Sequence, residues 1–504
     1  MDAVILNQLF LAFILLIPLV LIARTVVAGT KYSPILIIVV FGLLMGLLLQ
    51  QSGIASAGLP EYTVIGLMAK VTVIVLIVAF FVGGQEIWKI LRKKHVDIEE
   101  LVVPSEQEVI LGTKRTQLFL IVRSFFILLG IQGAYTIISG NSGGALENAY
   151  PILTYLGIMG AIIIIDPRKQ MKSKQSYIIK GAAEILGILL ILLASLFVSN
   201  TIAEIIPLPQ IFFAMLISAG VGMVLHKWQF GPTMRALLFA GIPLVLAANF
   251  LIGGSRILQA FSIEGMTTIM GYGFFGQLFW MFGGIALLIY FAKTNHVRNL
   301  APGMAGSLSH SGLTGACTAE DLGKEAAARA PIMINIPFFG HIFVFTILAY
   351  SAAQGALLVI PAAIVALAGV IITAFALKKI KESKGEEAPE ITGLMIFCFG
   401  WQLAAVFGSF ILQHFGGVEI WNAAMGASSA ISHFGLFAAI QGNMFGNGTA
   451  ELIPFIFAMP FLVHPLVFAM FGKAMENDGK MPTKPVYILA LIGLIGTILS
   501  FVIL

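Results

Sequence analysis

The chain is predicted to be an all-α polytopic membrane protein, with about 14 transmembrane helices and two re-entrant or broken segments arranged as an inverted repeat. Three observations lead there. Of 504 residues, 59% are hydrophobic and only 11% charged, against roughly 25% charged in a soluble domain. Apolar runs of membrane-crossing length recur along the whole chain. A glycine-rich polar stretch then occurs twice in the C-terminal half.

The repeat aligns at one fixed offset. Ser309-His310 falls on Ser432-His433, Gly312-Leu313 on Gly435-Leu436, and Gly323 on Gly446. Pro337-Phe338 falls on Pro460-Phe461, His341 on His464, and Val344-Phe345 on Val467-Phe468. The blocks FGQL (from Phe275) and FGWQL (from Phe399) join the register after one gap. Many transporters place their site between two such repeats.

Apolar runs lie at about 4–23, 33–50, 63–88, 116–138, 149–166, 177–199, 209–226, 233–253 and 271–292. The first, Val4 to Ala23, lacks a basic leader and is long enough to span, so it reads as a membrane helix and not as a removable signal. Basic residues then set orientation. Lys89, Arg92, Lys93, Lys94, Lys114 and Arg115 fall in one loop, Arg168, Lys169, Lys172 and Lys174 in another, and Lys293 and Arg298 after the ninth run. With these loops and Arg24 and Lys31 inside, the loops at 51–62, 139–148, 200–208 and 254–268 fall outside and hold few Lys or Arg. The net charge of +5 is therefore topogenic and is no nucleic-acid signature. Both termini are expected outside, in a bacterial or archaeal cytoplasmic (inner) membrane.

Simple counting fails beyond Arg298. Candidate segments lie at 301–319, 331–350 and 356–377 before the Lys378–Lys384 loop. Others lie at 391–413, 420–442 and 450–472 before Lys473, Lys480 and Lys484. Keeping each basic loop inside requires one segment of each trio to dip in and return. The odd members carry the repeated Ser-His: Pro302 with Gly303, Gly306, Gly312 and Gly315, then Gly426, Gly435, Gly442, Gly446 and Gly448. The two copies then point in opposite directions. The alternative is two plain spanning helices in a parallel repeat. The expected organisation is a scaffold bundle (1–268), a first repeat (269–377, broken over 301–319) and a second (391–504, broken over 420–449).

Irregular backbone survives at membrane depth only where protein or a watery cavity satisfies it. Freed N–H groups at a broken helix end suit an anion, and freed carbonyls suit sodium. The predicted substrate contacts are Ser307, Ser309, His310, Ser311, Gly312, Thr314, Ser432, His433 and Gly435. The predicted coupling-ion contacts are Asn443, Asn447, Thr449 and Glu451. Ser428, Ser429, Gln441 and Thr318 add polar groups nearby. Close packing through small residues is the competing explanation. It does not account for Gln441, Asn443 and Asn447 in an apolar setting, where an unpaired polar group costs free energy.

Four histidines repeat: His310, His341, His433 and His464. They suit a proton relay or a solute contact, or are structural residues copied with the repeat. Neither the histidines nor Cys317 and Cys398 have metal-site spacing, so no resident cofactor is expected beyond Na+ or H+ as a coupling ion. Glu86, Glu184 and Glu451 are acids within apolar runs and hence candidate ion sites. Arg123 lies mid-run and calls for a partner or a cavity.

The stretch SHSGLTGACTA followed by NIPFFGHIFVFTILA resembles, in layout, the sodium:glutamate symporters and 2-hydroxycarboxylate transporters. Its copy lies at 426–472. The resemblance implies two oppositely oriented glycine-rich re-entrant segments, a small anionic substrate and a possible homodimer with a moving core. The expected activity is secondary active transport and not enzymatic. The partners are a small molecule or ion and the lipid bilayer, with no nucleic acid. The alternative is an ion-translocating or cofactor-bearing subunit of an energy-conversion complex, using the histidines and Glu184 as a proton path.

Overall fold

The structure is a computed structural model of the chain. It describes residues 3–28, 34–53, 63–71, 77–78, 80–85, 87–88, 114–138, 149–164, 171–205, 210–228, 233, 236–308, 311–318, 321–431, 436, 440, 452–453, 456 and 462–503. Among them helix is the only regular structure apart from one isolated bridge, His296 with Lys480. Seven of these helices are long and apolar enough to cross a bilayer, and five shorter apolar helices accompany them.

The N-terminal half holds α1 (Ala3–Val27), α2 (Pro34–Gln51), α3 (Val64–Lys70), α4 (Lys114–Ile138), α5 (Tyr150–Ile163), α6 (Met171–Ile205), α7 (Gln210–Val224) and α8 (Ile242–Ala260). α8 packs on α2, and α4 packs on α5. These contacts are made at glycines: Gly42 of α2 faces Phe250 Cβ, and Gly130 of α4 faces Gly157 of α5. Where lipid is as apolar as the side chains, close backbone approach supplies the packing energy. The apolar run 63–88 is not one rod from its start. Thr63 Oγ1 caps α3 by accepting from Gly66 N at 3.1 Å, and α3 stops at Val71.

The C-terminal half holds α9 (Met266–Leu287), α10 (Val297–Leu308), α11 (Ser311–Thr318), α12 (Lys324–Asn335), α13 (His341–Gln354) and α14 (Val359–Glu382). It continues with α15 (Glu387–Phe415), α16 (Ile420–Ile431), α17 (His464–Glu476) and α18 (Thr483–Leu499). The duplication is visible in the helix bounds. α10 and α16 begin and end at equivalent positions, displaced by the interval that separates Ser309 from Ser432. α13 and α17 both open on the repeated histidine. The predicted span 331–350 is divided: α12 ends at Asn335, a 3-10 turn covers Ile336–Gly340, and α13 follows. Pro337 has no N–H to give Met333, which favours that break.

Packing crosses between the copies. α9 packs on α16 and α18, while its counterpart α15 packs on α10 and α14. The long helices run antiparallel to each other. A Cβ built on Gly284 would lie 2.7 Å from Trp401 Nε1, and one on Gly408 2.9 Å from Trp280 Cη2, so numbering falls along one helix as it rises along the other. The Trp401 indole, the extra residue of the second copy, donates to Trp280 O at 3.1 Å. Glycines bring the outer pairs together in equivalent fashion. A Cβ on Gly369 would lie 2.7 Å from Gly400 O, and one on Gly493 2.7 Å from Phe279 Cα. Thr373 and Thr497 each return their hydroxyl to the glycine carbonyl four residues back, at 2.8 and 2.7 Å.

The outer faces are apolar. α14 exposes Ile360, Ile364, Leu367 and Ile371, and α18 exposes Ile488 and Leu491. Gly400→Val should force α14 and α15 apart, because the new Cβ meets Thr373 N at 2.7 Å and Gly369 O at 2.9 Å. Overpacking of this kind costs about 1–3 kcal/mol. Thermal unfolding of the detergent-solubilised protein should show a lowered Tm, and an unchanged Tm would contradict the glycine-mediated contact.

Candidate functional site

Three short elements build the candidate site. α10 has 12 residues, about 18 Å of rise at 1.5 Å per residue, well short of a bilayer core of about 30 Å. Every residue of α10 except Arg298 is buried. Pro302 lies inside it and cannot donate to the Arg298 carbonyl.

α10 and α12 run parallel. Arg298 Nη1 lies 3.3 Å from Glu325 Oε2 at their starts. Further along, a Cβ on Gly306 would lie 2.6 Å from Met333 O, at the same residue interval. Two consecutive helices can be parallel only when the chain between them turns back. The reversal therefore falls between Leu308 and Lys324, where α11 lies. Gly315 of α11 sits against Ile35 and Ile242, at the starts of α2 and α8. After α11, Asp321 N donates to Ala316 O at 2.9 Å. Asp321 also lies within electrostatic range of Arg24, at the end of α1. The returning arm thus touches the N-terminal bundle at the end where α10 and α12 begin.

The predicted substrate residues divide as follows. Ser307 is buried and donates to Gly303 O at 2.7 Å, leaving its oxygen lone pairs as acceptors. Gly312 is buried, and so is Thr314, at 2% exposure. Ser311 opens α11, but its side chain lies outside the described residues. Ser309, His310, Ser432, His433 and Gly435 lie outside the described residues, as do Asn443, Asn447, Thr449 and Glu451. On the second copy, Ser428 and Ser429 of α16 are buried, and Ser428 Oγ meets no hydrogen-bond partner among the described residues. Ser429 faces Gly273 of α9.

His341 and His464 are fully buried at matching positions and rest on matching rings. His341 lies 5.4 Å from the Phe345 centroid and His464 5.6 Å from that of Phe468. Of the predicted intramembrane acids, Glu184 is buried and accepts from Thr233 N at 2.8 Å, while Glu86 lies outside the described residues. Among the described residues no group of three or more His, Cys, Asp or Glu is arranged to hold a metal.

A charged network escaped the sequence reading. The first turns of α10, α12 and α15 lie together. Arg329 Nη2 pairs with Glu387 Oε1 at 3.2 Å, and Asn299 Nδ2 donates to Glu390 Oε1 at 2.7 Å. The shared direction of the three helices puts acids where their dipoles favour negative charge. His296 enters α10 beside this network, and its imidazole is held below its ordinary value by burial and then by Arg298. The available signal was Glu387 and Glu390 opening an apolar run, with an arginine in the alanine-rich island at 324–330.

No protein-family model matches the chain, and no curated protein or solved structure matches it either.

Ser428→Ala distinguishes a solute contact from packing. Removing a buried hydroxyl without a protein partner should leave Tm unchanged or raised, while solute binding weakens roughly five- to tenfold. A lowered Tm with unchanged binding would remove Ser428 from the site.

Proposed function

We propose that the protein is a secondary active transporter that moves a small anionic metabolite or inorganic ion by alternating access, coupled to sodium or protons. The chain reversal between Leu308 and Lys324 carries this reading. It sets two short helices, α10 and α11, with the buried hydroxyls of Ser307 and Thr314 within a bundle of apolar helices, a placement that suits a cavity at membrane depth. Opposed copies of one helix set, as seen in the antiparallel α9 and α15, recur in transporters built from inverted repeats with a site at the repeat interface.

In this reading the chain crosses the membrane about 14 times, and the segments at 301–319 and 420–449 enter from opposite faces. Backbone N–H groups with Ser307, Ser309, Ser311, Thr314 and Ser432 hold the solute, and His310 and His433 border it. Asn443, Asn447, Thr449 and Glu451 hold the coupling ion. The two broken segments move against the N-terminal bundle, and the protein works as a homodimer in the manner of the sodium:glutamate symporters. The end that gathers Arg24, Arg298 and Lys480 faces the cytoplasm. Two contacts support this: Arg24 near Asp321, and the His296–Lys480 bridge, which bring together segments whose Lys and Arg count as cytoplasmic.

Counterflow of labelled carboxylates and phosphate into proteoliposomes tests the reading. Wild-type protein should exchange a labelled anion faster than empty liposomes. Ser309→Phe should abolish exchange while the circular dichroism spectrum and Tm stay those of wild type. Exchange at the wild-type rate in that variant would contradict the site.

A further inference from the structure

We infer that Arg329 is an anion-binding residue, at which a small carboxylate or phosphate-type oxyanion replaces Glu387. The inference deepens the transporter reading and rests on it for the role of the bound anion, but not for the binding itself.

Arg329 is 1% exposed, among the most buried large side chains in the protein. A guanidinium carries five N–H donors in a fixed fork and stays charged. Here only Nη2 is engaged, by Glu387, while Nε and Nη1 meet no hydrogen-bond partner among the described residues. Leaving a buried donor unmet costs about 1–3 kcal/mol, and more for a charged group. A residue serving only to pair Glu387 would gain by closing those donors or by lying at the surface. The free donors fit an acceptor that comes and goes.

The surroundings favour an anion at this place. Three helix starts converge here, those of α10, α12 and α15, with 12, 12 and 29 residues behind them. Aligned peptide dipoles make such ends attractive to oxyanions. Arg329 also lies one helical turn from Met333, the residue against which Gly306 packs. It therefore stands about one helical turn nearer the end that carries Arg298 and Glu325 than the Gly306–Met333 contact does.

The exchange partner is Glu387. Its side chain is 31% exposed, against 2% for Arg329, so it closes the rim of a buried cation. Glu390 is deeper and is already tied to Asn299 at 2.7 Å. Swinging Glu387 aside frees a third donor and opens the way in. The charges of the network set a condition on this exchange. Arg298 and Arg329 face Glu325, Glu387 and Glu390, so an added anion makes a negative cluster more negative.

The test uses purified full-length protein in detergent, titrated with succinate, inorganic phosphate and chloride, and read by Tm and by calorimetric Kd. Succinate or phosphate should raise the wild-type Tm where chloride does not. Glu387→Gln weakens the competitor and should lower the Kd several-fold. Arg329→Gln combined with Glu387→Gln keeps the charge balanced and should fold, yet lose the Tm shift with a Kd at least tenfold higher. The inference is overturned if neither oxyanion shifts Tm, if chloride shifts it equally, if Glu387→Gln binds more weakly, or if the double variant binds as wild type does. Counterflow separates the two claims. Exchange by wild type with unchanged binding in the double variant sinks only the role of Arg329. Arg329-dependent binding without exchange of any probe sinks only the transporter reading.

Discussion

Helices α9 and α15 meet antiparallel through Trp280, Gly284, Trp401 and Gly408, and the placement of the other C-terminal elements follows from that contact. Each long helix holds a short helix of the other copy, α16 on α9 and α10 on α15, and each is flanked by the other copy's last helix. A lipid environment offers little hydrophobic drive for helices to associate. The gain comes from backbone proximity, so glycine sits at the crossings and a threonine hydroxyl is folded back onto a carbonyl beside them.

That scaffold explains how so short a helix as α10 is held inside the bundle. α10 is too short to cross and is buried on almost every side, so its end must be satisfied by protein, water or a solute. The chain turns back after Leu308 and returns through α11 to the level of Arg24 and Asp321. Buried hydroxyls of Ser307 and Thr314 lie on one arm or the other of this reversal, and Ser428 lies on the equivalent helix of the second copy. The parallel start of α12 then brings Arg329 beneath it, against Glu387 and Glu390 of α15. A polar axis thus runs from the charged end of the bundle toward its interior. Along it, Arg329 Nε and Nη1 meet no hydrogen-bond partner among the described residues.

Much of this was legible in the sequence. The offset that joins Ser309 to Ser432 also sets the starts of α16 and α17, because a duplicated chain copies its caps, prolines and glycines together. The opposite direction of the two copies was an expectation from counting basic loops, and in the structure α9 and α15 pack antiparallel. Two features were not legible. The break from Asn335 to Gly340 sits inside an unbroken apolar run, where hydropathy does not separate a 3-10 turn from a continuous helix. The Arg329–Glu387 pair joins residues far apart in sequence, and only the parallel packing of α12 and α15 brings them together. Nine predicted site residues, from Ser309 and His310 to Asn443 and Glu451, lie outside the described residues.

The central claim is that the two copies lie in the membrane in opposite senses, and labelling of single cysteines tests it most directly. Ser262, ahead of α9, and Glu419, after α15, are exposed near the end where the chain leaves α15, while Glu386 and Asn477 are exposed at the other end. Cys317 and Cys398 are buried and should stay silent. In sealed right-side-out vesicles, a membrane-impermeant maleimide should modify Ser262→Cys and Glu419→Cys, and should reach Glu386→Cys and Asn477→Cys only after the vesicles are opened. Labelling of Ser262→Cys and Glu419→Cys from opposite faces would contradict the account.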